Sequence, residues 1–213
     1  MKTNELIAVL STNIEPVDTR KLVRKVCAAI LIGSSVALSV AIFALGIRAD
    51  LRDPGALAFL FPKLVFALSV VSLASVYLFR HLRPGGEFRS GVALTALPFL
   101  ALMILAGVNL TSAAPSHWEH MLLGGQWLEC LISIPIIAVV PFAVIMWAVR
   151  FAAPTDLTRT GALAGLLAGG VSAIGYALHC TDDSLPFIAL WYGATIVLCA
   201  LTGAVLGRRL LRW

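Results

Sequence analysis

Six apolar runs, at about 26–47, 57–79, 92–110, 129–149, 160–178 and 185–206, are separated by short gaps that hold most of the charge and several of the prolines. A helix rises about 1.5 Å per residue, so about 17–25 apolar residues cross the hydrocarbon core of a bilayer. Each run is about that long, and the pattern predicts an all-α membrane protein of six transmembrane helices joined by short loops. The basic residues then sort by side. With the N-terminus in the cytoplasm, thirteen of the 16 Lys and Arg fall on the inner side, and only Arg48, Arg52 and Lys63 fall on the outer side. Because positive charge is retained on the cytoplasmic side, the expected orientation is N-in/C-in.

Three segments follow: a cytoplasmic N-terminal segment 1–25, a six-helix transmembrane domain 26–207 and a short basic tail 208–213. In the first, Leu6, Ile7, Leu10 and Ile14 recur at helical spacing, with Thr3 or Asn4 as N-cap, and predict an amphipathic helix over about 3–13. A helix so short is marginal alone in water and needs a surface, either lipid or another protein. The first span is too long, and begins too late, for a secretory signal, so it reads as a retained helix.

Composition excludes a soluble domain, since 60% of the 213 residues are hydrophobic and only 13% charged. The net charge of +5 changes meaning in that setting. Most of the basic residues sit at span ends, where they match anionic membrane lipid, and no basic run interleaved with aromatics offers a nucleic-acid surface. Gly161, Gly165 and Gly169, with Gly203 and Gly207, form small-residue stripes that let helices approach closely. They read first as intramolecular packing and second as a homo-oligomer interface. Pro135 and Pro141 predict a kink or locally broken hydrogen bonding in the fourth span.

Candidate chemistry gathers on the outer side. Cys130 begins the fourth span and Cys180 follows the fifth, so a short inner loop brings both outer ends together. Cys27 and Cys199 lack obvious partners and read as small buried hydrophobes. The thiols of Cys130 and Cys180 suit a disulfide or a soft metal ion, with His179, Glu129, Asp182, His117 or His120 available to complete a site. Cys130, Cys180 and His179 are the candidate metal set; no resident cofactor is expected beyond such a transient ion. Neither a catalytic motif nor a charge near the midplane of a span is present, which disfavours an enzyme and an ion-coupled transporter.

Specific residues also carry a resemblance over nearly the whole chain. They are Met1-Lys2-Thr3 with Glu5-Leu6-Ile7, Gly46-Ile47-Arg48-Ala49-Asp50-Leu51, Lys63, Trp127, Cys130, Ile134-Pro135 and Pro141. Ala153-Pro154, Gly161, Ala164-Gly165-Leu166, Tyr176-Ala177-Leu178-His179-Cys180, Asp183-Ser184, Trp191-Tyr192 and Leu211-Arg212-Trp213 complete the set. In order and spacing they resemble the NrsF-type inner-membrane anti-sigma factors. The resemblance implies a multi-pass protein of the bacterial inner membrane that holds an extracytoplasmic-function sigma factor inactive. It also implies that Cys130 and Cys180 serve a response to heavy-metal or oxidising stress. Joined to the apolar stripe, it makes Leu6, Ile7, Leu10 and Ile14 the expected sigma-binding face. Two other classes compete: a membrane thiol-disulfide oxidoreductase, which would normally carry a second cysteine pair, and a packing or assembly protein that senses nothing.

Overall fold

The computed structural model describes residue 3 and residues 19–52, 54–82, 92–152 and 154–212. All but the first residue of the expected 3–13 helix, and Leu6, Ile7, Leu10 and Ile14 with it, lie outside the described residues. Among the described residues seven helices carry the fold: α1 (Thr19–Val40), α2 (Pro54–His81), α3 (Leu97–Ser112), α4 (Trp118–Leu123), α5 (Trp127–Arg150), α6 (Leu157–Ala177) and α7 (Leu185–Leu210). They fall in six stretches long and apolar enough to cross a membrane, with α4 and α5 sharing the stretch Pro115–Arg150. Their bounds differ from the sequence expectation by a few residues. α1 begins at Thr19, ahead of its apolar run, and α3 is led in by a 3₁₀ turn at Val92–Ala96. One end of the bundle bears the segments 46–52, 113–126 and 178–184 and is called the loop end. The other bears Arg20, Arg80, Arg150, Arg159 and Arg208, and is called the basic end.

α6 is the axis of the bundle, packed against α7, α2, α5 and α1. Of its apolar stretch 89% is buried, against 17% for the stretch containing α3, which lies at the periphery. Glycine makes that central position accessible. A Cβ on Gly161 would run into the backbone of Gly203 and come within 2.8 Å of the Gly207 Cα, and one on Gly165 would meet the Cys199 carbonyl and the Ala200 Cα at 2.9 Å. The two stripes thus interlock with each other inside the chain, replacing side-chain packing with backbone contact. On the far side of the bundle, α1 meets α5 at Gly33, where a Cβ would stand 3.0 Å from the Pro141 Cα. α5 itself runs through Pro135 and Pro141 as one helix. Each proline lacks the N–H that would bond the carbonyl four residues earlier, at Leu131 and Ile137.

Two π turns interrupt the helical rods at the loop end. Ala41–Leu45 closes the rod of α1 and stops at Gly46, whose φ of 83° is open to glycine without strain. Ile188–Tyr192 widens the first turns of α7, and the Thr195 hydroxyl donates to the Trp191 and Tyr192 carbonyls at 2.8 and 3.0 Å. Such insertions rotate the side chains that precede them, and they recur at functional sites.

Candidate functional site

The segment 178–184 ties three helix ends together by satisfying backbone groups those ends leave open. α6 ends with free carbonyls and the negative pole of its dipole. The Arg48 N–H bonds the Leu178 carbonyl at 3.0 Å, and two cations converge on the Cys180 carbonyl, Arg48 Nη1 at 3.1 Å and Lys63 Nζ at 2.9 Å. The N-terminus of α5 has the opposite need. There Asp182 Oδ2 accepts from the Gly125 and Gln126 N–H groups at 2.9 and 2.7 Å, a cap supplied from a different part of the chain. Gln126 answers by accepting from the Thr181 N–H at 3.1 Å. Ser184 caps the start of α7 through the Phe187 N–H, and its hydroxyl donates to the Met121 carbonyl at 2.6 Å.

Charge balances around the same knot. Asp183 accepts from Arg48 in a fork, at 3.0 and 2.8 Å, and pairs with Lys63 at 2.6 Å, while Asp50 takes the remaining edge of the guanidinium at 2.7 and 2.6 Å. The two carboxylates hold the Arg48 guanidinium well above its ordinary value, and Arg48 in turn holds Asp50 below the usual carboxylate range. Lys63 lies nine residues into α2, about 13 Å along its axis, and is fully buried. Helical side chains lean toward their helix N-terminus, here the loop end, so its long stem delivers the ammonium to the knot.

Cys130 and Cys180 sit inside this knot. Both are fully buried free thiols. Cys130 lies four residues beyond Gln126 and Cys180 two before Asp182, so the hydrogen bonds that join those partners also join the segments carrying the thiols. Burial pushes the Cys180 thiol up, and the Lys63 charge pulls it part of the way back. Tyr176 from α6 and Tyr192 from α7 line the same space, ring centroids 5.9 Å apart, and neither buried hydroxyl has a hydrogen-bond partner. His179 is turned elsewhere, its Nδ1 3.1 Å from the Gly46 carbonyl. Glu129, His117 and His120 are exposed. Among the described residues no group of three or more His, Cys, Asp or Glu side chains is arranged to share an ion. Cys130, Cys180 and His179 therefore do not assemble as the expected metal set, because the backbone at Gly46 claims the imidazole. Cys199 is buried as expected, whereas Cys27 is exposed on the outward face of α1.

Reading the sequence did not join Arg48, Asp50, Asp183 and the two tyrosines to Cys130 and Cys180. The signal was Lys63: a lysine in an apolar run calls for a counter-ion, and the nearby outer segments hold few acids.

A family model described as "negative regulator of sigma F" matches residues 10–213. The chain belongs to the NrsF family. Among curated relatives, a probable anti-sigma-F factor NrsF of Azospira oryzae is 30% identical over 213 residues, covering all of both chains. The anti-sigma-F factor NrsF of Caulobacter vibrioides is 36% identical over 133 residues, 62% of each chain. No solved structure matches. The NrsF family model spans every described helix, so the charged knot and the glycine interface both lie within the family's domain.

Proposed function

We propose that this chain is a membrane-embedded negative regulator of transcription that holds a sigma factor of the extracytoplasmic-function class at its basic end. The observation that carries the reading is the match to the NrsF family from residue 10 to the C-terminal residue. The distribution of Lys and Arg supports a bacterial inner-membrane protein with the basic end in the cytoplasm and the loop end outside. Leu6, Ile7, Leu10 and Ile14 supply the apolar face for the sigma factor, in the manner of a helix laid into a groove. Heavy-metal or oxidising stress reaches the protein as a change in the state of Cys130 and Cys180. In the oxidising case the two thiols give two protons and two electrons to an external oxidant and become a disulfide, favouring one arrangement of α5 and α6 over another.

Co-purification from membranes with a sigma factor of that class, from the same organism, tests the reading. Deleting residues 2–14 releases the sigma factor while the chain still inserts. Cys130→Ser and Cys180→Ser each blunt release under oxidant, and the double variant adds little. Retention of the sigma factor after the deletion moves the binding surface to the inner loops, and normal release in the double cysteine variant removes the thiols from the mechanism.

A further inference from the structure

The buried space around Cys180 holds more unmet donor capacity than a neutral thiol can use. Lys63 brings a full positive charge to the Cys180 carbonyl, 2.9 Å away, and to the face of the Tyr192 ring, 5.8 Å from its centroid. The Tyr192 hydroxyl, and that of Tyr176 whose ring centroid lies 5.9 Å from the Tyr192 ring, are buried without a hydrogen-bond partner, while the Cys180 Sγ has a weak donor contact to the Asp182 carbonyl at 3.9 Å. All three side chains are fully buried. A buried hydroxyl with no acceptor is costly and uncommon in native proteins. A neutral thiol is a weak acceptor, whereas a thiolate accepts strongly and attracts an ammonium.

We propose that Lys63 and Tyr192 form a buried anion hole for the Cys180 sulfur, making them positioning residues of the thiol site. Lys63 supplies the countercharge from α2, Tyr192 the hydrogen-bond donor from α7, and the proton leaves to water at the loop end. The surrounding charges fit that arrangement. Asp183 is held between Lys63 and Arg48, and Asp182 is committed to the N–H groups of α5. Glu129 is exposed, and His179 is engaged at Gly46. Cys130 and Tyr176 are the neutral neighbours. The consequence is that Cys180, rather than Cys130, is the thiol that reacts first, although both are equally buried.

This inference rests on the proposed sensing role of the pair, but its measurement stands apart from sigma-factor release. The full chain in membrane vesicles is treated with iodoacetamide across a pH series, and Cys180 alkylation is followed by mass spectrometry. Lys63→Met raises the pH midpoint of alkylation by about one unit or more, the scale of losing a nearby opposite charge. Lys63→Arg keeps the midpoint near the unsubstituted value. Tyr192→Phe removes one oxygen while keeping the ring, and raises the midpoint by less, which preserves the test if Lys63→Met fails to accumulate. A purely structural role would loosen the site and speed alkylation at every pH, leaving the midpoint in place or lowering it. Midpoints that stay or fall in both Lys63→Met and Tyr192→Phe overturn the anion hole. Failure of the cysteine variants to blunt sigma-factor release, with these midpoints shifted, would instead overturn the sensing role alone.

Discussion

The C-terminal end of α6 and the glycine-lined face of the same helix meet apolar surroundings by different means. At the end, open carbonyls draw in a lysine and an arginine, whose charges draw in two aspartates. Along the face, Gly161 and Gly165 strip away side chains until the backbone of α7 lies directly against that of α6. The first contact is directional, titratable and made by residues far apart in the chain. The second is steric and has one geometry. Cys130 and Cys180 lie inside the directional, titratable contact and away from the steric one.

The largest expected effect comes from the charged end. Asp183→Ala leaves Lys63 and Arg48 buried with only Asp50 to balance them. Removing one partner of a buried ion pair costs about 3–5 kcal/mol, mostly for the stranded charge. Thermal unfolding in detergent should therefore fall steeply for Asp183→Ala, and adding Lys63→Met should recover part of the loss because it removes the stranded ammonium. A double variant less stable than the single one would mean that Lys63 is held by something other than Asp183.

Next comes the glycine face. Gly165→Ala puts a methyl group against the Cys199 carbonyl and the Ala200 Cα, backbone atoms that cannot rotate away. Overpacking of this kind costs about 1–3 kcal/mol. Gly107→Ala in α3 is the control: nothing lies within 4 Å of a Cβ there, so the change should be neutral or slightly stabilising through helix propensity. Equal losses at the two positions would show that α6 and α7 are not in backbone contact.

The contrast between the two regions also explains what the sequence could reveal. Apolar run length locates the six helical stretches long and apolar enough to cross a membrane, and the four-residue spacing of Gly161, Gly165 and Gly169 signals a close helix contact, because both are local patterns. The interlock of Gly161 with Gly203 and Gly207 follows once the helices are paired. The charged knot has no such period. Lys63 and Asp183 are 120 positions apart, and Arg48 looks like one more basic residue at a span end. Tyr192 ends a π turn, which no hydrophobic period announces. Gly33 against Pro141 is invisible for a related reason, since neither residue repeats at a spacing that marks a face. The unassembled metal set shows the same limit: adjacency of His179 to Cys180 in sequence says nothing of where the ring turns.

The smallest expected effect separates the two carboxylates that share Arg48. Asp183 is largely enclosed, whereas the Asp50 side chain is 43% exposed, so water competes for its bonds. Asp50 is held below the usual carboxylate range, chiefly by the Arg48 hydrogen bond. A carboxylate whose folded value is depressed adds stability that is fully present above its unfolded value, about 3.9, and is lost as pH falls through the folded one. Asp50→Asn should thus lower the unfolding temperature slightly at pH 7, far less than Asp183→Ala does. That difference from the unsubstituted protein should shrink once the pH drops below about 4. A pH series of thermal unfolding on the two proteins reads the effect directly. If the difference holds its size at low pH, Asp50 acts through packing rather than through its charge on Arg48.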